Sequence, residues 1–474
     1  MGKKEPKSNK VILAVTYLGA ALFLGLAGYM GYFLQVQRET VINNSYNARL
    51  DSFANRVVRG RILAADGTVL AENRTDGEGN ETRIYPFGTV FDHVVGYSSN
   101  GKMGIESLAN FYLLTSHVNL AEQVVNELGG TKSQGDDVYT TLDPELQQAA
   151  WAALGDRRGA VIAMEPDTGK ILAMVSKPGY DPNTLAQDWE VLNADEGGQS
   201  PLLNRAAQGL YPPGSTFKIV TALEYMREHP QDYKDYRFDC SGTYVNGDYT
   251  IRCYHGESHG SQDFVQAFAN SCNGAFASLG LELDLASLRG TAEELLFNRE
   301  LPLTGFPYKE SSFVMEPGAG TWEILQTSMG QGKTEMTPLH NALLTAAIAN
   351  GGTLMKPYLL DRVVSAGEEE VKKFMPEAWG SLMTAQEAAN LTELMEAVVT
   401  VGTASALRTD AYQAAAKTGS AEFETGRETH AWFTGFAPAQ DPKLVVTVLV
   451  EEAGTGGRAA APIARQLFDI YLTR

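Results

Sequence analysis

The sequence predicts an α/β protein of two folded domains behind one membrane helix, and three observations support this. The first is an uncharged, apolar run near the N-terminus, residues 11–34. The second is a pair of apolar runs joined by a Pro-Asp-Thr-Gly turn, residues 159–164 and 171–176. The third is a C-terminal group of apolar runs, residues 411–420, 431–436 and 444–451. Two strands before a long helical stretch and three after it predict one sheet of five strands with a helical region inserted in the chain, an α/β sandwich.

Length, charge and cysteine content narrow the class of protein. The 474 residues are enough for two or three folded units with substantial cores. A net charge of −19 argues against nucleic acid as a partner. Three cysteines are too few for a scaffold held together by many disulfides.

The apolar N-terminal run has the length of a transmembrane helix. Residues 11–34 would span about 36 Å as a helix, more than the roughly 30 Å of a bilayer core. Four lysines lie within residues 1–10, which predicts a cytoplasmic tail there and places everything after Arg38 outside. A cleaved signal peptide is the alternative, but the run is too long and residues 35–37 lack a small-x-small cleavage site. We therefore predict a single-pass anchor.

Two units are predicted after the anchor. Residues 35–135 form a small extracellular pedestal that opens with a hairpin over residues 57–70, turning at residues 65–67, and ends in a glycine-rich linker. Nothing in the pedestal suggests chemistry, so a spacer or docking role is expected. Residues 136–474 form the second domain. Its predicted elements include a strand at residues 138–142 and helices at residues 144–154, from residue 338 to about 350, and at the C-terminus.

A candidate nucleophile lies at the start of a buried helix. Residues 211–218 read Tyr-Pro-Pro-Gly-Ser-Thr-Phe-Lys and precede an apolar run, so a helix is predicted to begin at Ser215 with Lys218 on the same face. Backbone N–H groups at the helix start could hold an oxyanion. Apolar surroundings should lower the pKa of Lys218 and make it a base. Ser99 and Lys102 share this spacing in a polar loop, so an ordinary N-cap with a solvated lysine is the alternative.

Two further clusters carry polar side chains downstream. Ser271-Cys272-Asn273 follows a predicted helix, but its pattern recurs at residues 45–47 and 98–100, so it is weak alone. Lys417-Thr418-Gly419-Ser420 occurs once, on a predicted strand. A glycine within a strand is typical of close approach by a ligand backbone, although a bulge at a sheet edge gives the same pattern.

In this order the three clusters resemble the Ser-x-x-Lys, Ser-x-Asn and Lys-Thr-Gly motifs of the penicillin-interacting serine enzymes. Other segments look like the transpeptidase domain of penicillin-binding proteins: residues 139–143, 159–164, 180–183, 204–206, 330–332 and 432–438. Residues 59–62 and 66–68 look like the start of the class B pedestal. About 100 residues before the transpeptidase domain cannot hold a glycosyltransferase domain, which argues against class A. Nearly everything after the anchor therefore resembles a class B penicillin-binding protein.

The resemblance implies a serine β-lactamase-like fold, with a five-stranded antiparallel sheet flanked by helices. It also implies an acyl transfer that requires no metal or organic cofactor. Ser215 would attack the penultimate D-Ala carbonyl of a peptidoglycan stem peptide, with Lys218 as base. Ser271 and Asn273 would relay protons and orient the substrate amide, and Lys417 would add positive charge. The strand residues Thr418, Gly419 and Ser420 would bind substrate. The hydroxyls of Thr418 and Ser420 would hold its carboxylate, and the backbone N–H groups of Ser215 and Ser420 would form the oxyanion hole.

The resemblance also implies partners and leaves alternatives open. The expected partners are peptidoglycan stem peptides, β-lactam antibiotics, the bacterial cell membrane and a membrane glycosyltransferase of the shape-and-division family. One alternative is a β-lactamase-like hydrolase, for which no water-activating group can be identified. Another is a non-catalytic β-lactam sensor or division scaffold, against which the retention of every catalytic side chain speaks.

Cys240 and Cys253 are candidates for a disulfide. Asn246-Gly247 lies midway between them and is a strong hairpin signal. With those residues as the turn, Cys240 would face Cys253 in a non-hydrogen-bonded pair about 4.5 Å apart at Cα, compatible with a disulfide. A metal site using these thiols with His255 or His259 is an alternative, and two reduced cysteines are another. Cys272 is predicted to be a small buried side chain.

Overall fold

The computed structural model describes residues 10–33, 57–117, 128–129, 131–424 and 426–474. The tail before residue 10 and the junction between the predicted anchor and pedestal, residues 34–56, lie outside this part of the chain. Within the described residues, one helix is long and apolar enough to cross a membrane, Ile12–Tyr32 of the Lys10–Tyr32 helix. It is not buried against the rest of the protein, in agreement with the predicted anchor.

The predicted five-stranded antiparallel sheet is confirmed. We call it the central sheet, and its strand order places the strands from the two ends of the domain side by side. In spatial order the strands are Ala415–Ala421, His430–Ala437, Leu444–Val450, Gly159–Met164 and Ile171–Lys177. Nearly every residue in them is buried, as expected for strands covered on both faces.

Helices cover the central sheet on both faces. Successive residues of a strand point to opposite faces: Phe433 packs on Phe468 with ring centroids 6.5 Å apart, whereas the hydroxyl of Thr434 lies 2.6 Å from that of Thr345. Phe468 belongs to the closing helix Ala461–Leu472 and Thr345 to the Pro338–Ala349 helix. The sheet therefore lies between these two helices, which gives the predicted sandwich.

Capping residues explain where two of the predicted helices begin. Thr337 accepts a hydrogen bond from the backbone N–H of His340 and is followed by a proline at the first helical position. Asp143 caps the Pro144–Leu154 helix in the same way through Leu146. The predicted starts of both helices are confirmed.

The pedestal is joined to the second domain by a shared sheet. This six-stranded sheet has the order Glu370–Lys373, Leu360–Val364, Asp137–Thr140, Ile62–Leu63, Val69–Thr75 and Glu81–Ile84. The predicted hairpin turn at residues 65–67 is confirmed, because Ile62–Leu63 pairs with Val69–Thr75. Val57–Val58 lies outside that hairpin and pairs with Ser133–Gln134. The predicted boundary at residue 135 thus precedes a strand that is continuous with the pedestal sheet.

Polar contacts also dock the pedestal onto the second domain. The carboxyl group of buried Asp92 accepts the backbone N–H of Tyr180 at 2.8 Å, and the Tyr180 hydroxyl donates to the Asp92 carbonyl at 3.0 Å. The side chain of Asn183 makes two hydrogen bonds to the backbone of Tyr85. Residues 180–183, which contribute to the family resemblance, therefore hold the two units together.

The remaining elements surround these sheets. The pedestal helices are Asp92–Val95, Gly104–Leu108 and Asn110–Leu113. The other helices of the second domain are Leu185–Ala194, Lys218–Glu228, Phe264–Ala269, Asn273–Glu282, Leu285–Glu294, Thr321–Thr327, Ala385–Thr400 and Gly456–Ala459. Its other strands form two-stranded pairs: Arg237–Cys240 with Gly260–Asp263, Thr243–Asn246 with Tyr249–Arg252, and Thr353–Met355 with Ala378–Ser381.

Candidate active site

Ser215 lies in a short 3-10 turn, Gly214–Phe217, and the α-helix begins at Lys218. The predicted helix start at Ser215 is therefore early by one turn. Gly214 explains the difference: it has a positive φ of 54° and donates its N–H to the Gly330 carbonyl at 2.9 Å. A Cβ on Gly330 would overlap the Gly214 carbonyl oxygen. The close approach of these two glycines thus fixes the turn that carries Ser215.

Lys218 is completely buried and reaches the second cluster. Its Nζ donates to the Ser271 carbonyl at 2.7 Å and to Asn273 Oδ1 at 2.8 Å, and lies 3.3 Å from Ser271 Oγ. Burial lowers the pKa of Lys218 to about 8. The predicted burial of Lys218 is confirmed, because the helix that begins at Lys218 is buried over its first nine residues.

Lys417 approaches the same hydroxyl from the central sheet. Its Nζ is 2.9 Å from Ser271 Oγ and donates to the Thr418 carbonyl at 3.0 Å. The side chain is fully buried. Burial, and then the nearby charge of Lys218, hold the pKa of Lys417 well below its usual value. The Ser271 hydroxyl therefore connects two buried lysine amines in one hydrogen-bonded chain.

Ser271 has a left-handed backbone conformation, with φ of 56°. It follows the Phe264–Ala269 helix, where its N–H donates to the Phe268 carbonyl and the N–H of Cys272 donates to the Ala267 carbonyl. This is the Schellman pattern of helix ends, in which glycine is the usual left-handed residue. A serine here costs conformational free energy, which is typical of a position kept for function.

The strand that carries Lys417 is at the edge of the central sheet, beside the Ser215 turn. A Cβ on Gly419 would lie 3.2 Å from the Pro213 carbonyl oxygen, and one on Gly214 would lie 3.1 Å from the Ser420 carbonyl oxygen. Thr418 is buried, whereas Ser420 is partly exposed. The small residues of this strand thus let it approach the backbone of the turn, and the first and third clusters come together as predicted.

Sequence reasoning missed Thr403. Its hydroxyl lies 2.6 Å from that of Thr418, so it fixes the direction of a predicted substrate-binding side chain. Thr403 follows the end of the Ala385–Thr400 helix, and no local pattern in the sequence marks it. Gln331 also contacts the site through a hydrogen bond from its Nε2 to the Ser420 carbonyl at 3.4 Å.

The hairpin register that argued for a Cys240–Cys253 disulfide is wrong. Asn246 pairs with Tyr249, so Gly247 and Asp248 form the loop, and Cys240 pairs with Gly260 of another strand. The hairpin packs over the Asn273–Glu282 helix, where a Cβ on Gly274 would lie 3.1 Å from Tyr244 Cβ, and this packing fixes the register. The two cysteines are nevertheless close as free thiols, with Sγ atoms 3.7 Å apart.

Those two thiols belong to a larger cluster. Cys240, Cys253, His259 and Cys272 place their ligand atoms within 4.8 Å of one another, an arrangement that could hold a metal ion. His255, the other histidine of the predicted metal alternative, is exposed and outside the cluster. Cys272 is buried, as predicted. It also caps the Asn273–Glu282 helix by accepting the Ala275 N–H at 3.5 Å.

Two families of known proteins match this chain. The penicillin-binding protein transpeptidase domain family matches residues 159–469, and the penicillin-binding protein A dimerisation domain family matches residues 59–138. A Mycolicibacterium smegmatis protein, peptidoglycan D,D-transpeptidase PbpA, is 37% identical over 443 residues, covering 88% of this chain and 89% of that protein.

Two solved structures have the same fold. Penicillin-binding protein A from M. tuberculosis, as a penicillin G acyl-enzyme complex, has a TM-score of 0.78 and 33% identity and covers 87% of this chain and 99% of that one. The D,D-transpeptidase domain of a peptidoglycan glycosyltransferase from Eggerthella lenta has a TM-score of 0.79 and 33% identity and covers 88% and 99%.

Proposed function

The chain belongs to the penicillin-binding protein transpeptidase family and is a D,D-transpeptidase, and we propose that its acyl-enzyme forms on Ser215. The observation that carries this proposal is the buried chain from Lys218 through Ser271 to Lys417. Such a chain can take a proton from a serine and return it to a leaving group, which acyl transfer requires.

In acylation, Lys218 and Ser271 relay a proton from the nucleophile to the leaving group. Neutral Lys218 accepts the Ser215 proton while Oγ attacks the penultimate D-Ala carbonyl of a stem peptide. An ester forms, the amide C–N bond breaks, and the proton reaches the departing D-Ala amine through the Ser271 hydroxyl. Asn273 contacts Lys218 through Oδ1, and its amide orients the substrate backbone. A buried lysine with a pKa of about 8 suits this role because that pKa lies close to the working pH.

The edge strand binds the substrate. Thr418 and Ser420 donate hydroxyl hydrogen bonds to the terminal carboxylate, and Lys417 adds positive charge behind them. Gly419 keeps the strand close to the Ser215 turn, so the backbone N–H groups of Ser215 and Ser420 converge on the developing oxyanion. An extended peptide pairs with an exposed sheet edge through backbone hydrogen bonds, which fits the position of this strand.

Deacylation forms the cross-link. An amino group of a second stem peptide attacks the ester carbonyl, a new amide forms, and Ser215 Oγ regains its proton. A β-lactam acylates the same serine as its ring C–N bond breaks. The leaving amine stays attached to the acyl group and blocks the position of the acceptor amine, so the ester persists. The protein is thus inhibited by the antibiotics that mimic its substrate.

The location and partner of the enzyme are part of the proposal. The apolar helix anchors the protein in the bacterial membrane, and the lysines before it favour a cytoplasmic N-terminus with the catalytic domain outside. A class B pedestal supports partnership with a membrane glycosyltransferase of the shape-and-division family, which would supply the glycan strands to be cross-linked.

The test is the intact mass of the full-length protein in detergent after addition of benzylpenicillin, followed over time. Wild type and Ser99→Ala are expected to gain one stable adduct, and Ser215→Ala none. Ser99 is the matched control because it shares the spacing to a lysine three residues later. An adduct that disappears while excess drug is consumed would favour a hydrolase. No adduct on folded wild type would leave a non-catalytic scaffold.

A further inference from the structure

A cluster of three thiols and one imidazole has no part in the proposed acyl transfer. It includes Cys272, which lies between Ser271 and Asn273 in the sequence. Cys240, Cys253 and Cys272 are almost completely buried, and His259 is half-buried. The Sγ atoms of Cys240 and Cys253 are 3.7 Å apart, those of Cys253 and Cys272 are 3.8 Å apart, and Cys240 Sγ is 3.3 Å from His259 Nδ1.

These separations agree with a tetrahedral zinc site. With Zn–S bonds of about 2.3 Å and a Zn–N bond of about 2.0 Å, the sulfur atoms of a tetrahedron lie about 3.8 Å apart, and sulfur and nitrogen about 3.5 Å apart. The two sulfur–sulfur distances fall within 0.1 Å of that value. All three cysteines are free thiols, so each sulfur is available as a metal ligand.

Backbone N–H groups donate hydrogen bonds to two of the three sulfurs. The backbone N–H of Gly242 donates to Cys240 Sγ at 3.4 Å, and that of Ala275 donates to Cys272 Sγ at 3.5 Å. Hydrogen bonds from backbone N–H groups to ligand sulfurs orient the ligands and stabilise their anionic form. Zinc binds the thiolate form of cysteine.

An ion bound by these four residues would link three strands and a helix. Each lies at or next to the end of a different short element: Cys240 ends one strand, Cys253 follows another, His259 precedes a third, and Cys272 caps a helix. The strands form only two-stranded sheets, and a two-stranded hairpin is marginally stable at best in water. A bound ion would fix these elements to one another and to the helix.

We propose that Cys240, Cys253, His259 and Cys272 form a closed structural Zn²⁺ site that holds the Ser271–Asn273 segment in place. Cys272 stands between the two residues that contact Lys218, so a metal bond to its sulfur fixes both neighbours. Ion binding itself does not depend on the proposed function, whereas the effect on acylation does.

The first measurement is the zinc content of the full-length protein in detergent. Wild type is expected to contain one Zn²⁺ per chain, and the chelated protein reloaded with Co²⁺ should have the intense visible absorption of tetrahedral thiolate coordination. Cys253→Ser and His259→Ala should lose stoichiometric metal. His255→Ala is the matched control and should retain it, because His255 lies four residues away and outside the cluster.

Wild type alone can overturn the proposal, whether or not the variants fold. Absence of stoichiometric zinc, together with a count of three alkylated thiols or of one thiol and a disulfide, would contradict a metal site. Retention of zinc by His259→Ala would contradict this ligand set.

The second measurement is the rate of penicillin acylation before and after zinc removal. We expect a loss of up to about 100-fold, the order that a 1 Å displacement of catalytic groups can produce, restored on adding Zn²⁺. Stoichiometric zinc with an unchanged acylation rate after its removal would overturn the positioning role. Failure of the zinc-loaded protein to acylate at all would instead contradict the proposed function.

Discussion

The protonation state of Lys218 controls the proposed chemistry. Its amine is fully buried, and its pKa is lowered to about 8, chiefly by desolvation of the charged form. Partners that accept its hydrogen bonds, the Ser271 carbonyl and Asn273 Oδ1, keep the amine in position. Below this pKa the ammonium form dominates and cannot take a proton from Ser215.

We therefore expect the rate constant for acylation by benzylpenicillin to rise with pH and to level off above about pH 8. Stopped-flow measurement of adduct formation across this interval checks the prediction. Lys218→Arg is the informative variant, because arginine keeps the charge but cannot be deprotonated in a protein. Its rate should fall by about 10²–10⁴-fold, the usual contribution of a general base. A wild-type profile that is flat or falls with pH would contradict Lys218 as the base.

At the scale of elements, the end of the Phe264–Ala269 helix places the Ser271 hydroxyl between two lysines. The hydrogen bonds of a Schellman motif require a left-handed residue at this position. Ser271 adopts that conformation although it is not glycine. Glycine would lower the conformational cost at this position, but it would remove the hydroxyl that lies between the two lysines.

Two substitutions of Ser271 should separate its effect on stability from its effect on acylation. Ser271→Gly and Ser271→Ala both remove the hydroxyl and should slow acylation to a similar extent. Only glycine relieves the left-handed strain, so Ser271→Gly should be more stable than Ser271→Ala by about 1 kcal/mol. Thermal unfolding together with penicillin-acylation rates tests both halves. Equal stability of the two variants would show that the left-handed backbone carries no cost.

At the scale of the whole molecule, the pedestal and the catalytic domain form a continuous structure. They share the six-stranded sheet, and the buried carboxyl group of Asp92 accepts the N–H groups of His93 and Tyr180, one on each unit. Backbone pairing and a buried side chain therefore hold the pedestal against the domain that carries Ser215.

Asp92→Ala should weaken this connection. It leaves two buried N–H donors without their acceptor, which costs about 1–3 kcal/mol of unfolding free energy. Asp76→Ala is the control, since Asp76 also accepts backbone N–H groups, from Glu78 and Asn80, but in an exposed turn where water can replace it. We expect a lower melting temperature and faster amide exchange at residue 180 only in Asp92→Ala. Identical melting temperatures for the two variants would contradict a docking role.

The membrane helix, the five strands of the central sheet, the helix starts at residues 144 and 338, and the three motifs could all be predicted from the sequence. These are local properties: apolar periodicity, capping residues and short spacings are all contained in a few consecutive residues. The burial of Lys218 was also predictable, because the helix that follows it is apolar on most sides.

The contacts between groups far apart in the sequence could not be predicted in this way, because they depend on tertiary packing. Lys218, Ser271 and Lys417 converge from three parts of the chain, and Thr403 reaches Thr418 without any local signal. The hairpin loop lies at Gly247-Asp248, one residue later than the Asn246-Gly247 turn predicted from the sequence, because the hairpin packs over Gly274. That shift abolished the predicted pairing of Cys240 with Cys253, while folding of the separate strands brought both thiols to His259 and Cys272. Long-range packing fixes such contacts, since a sequence pattern specifies each element but not its neighbours.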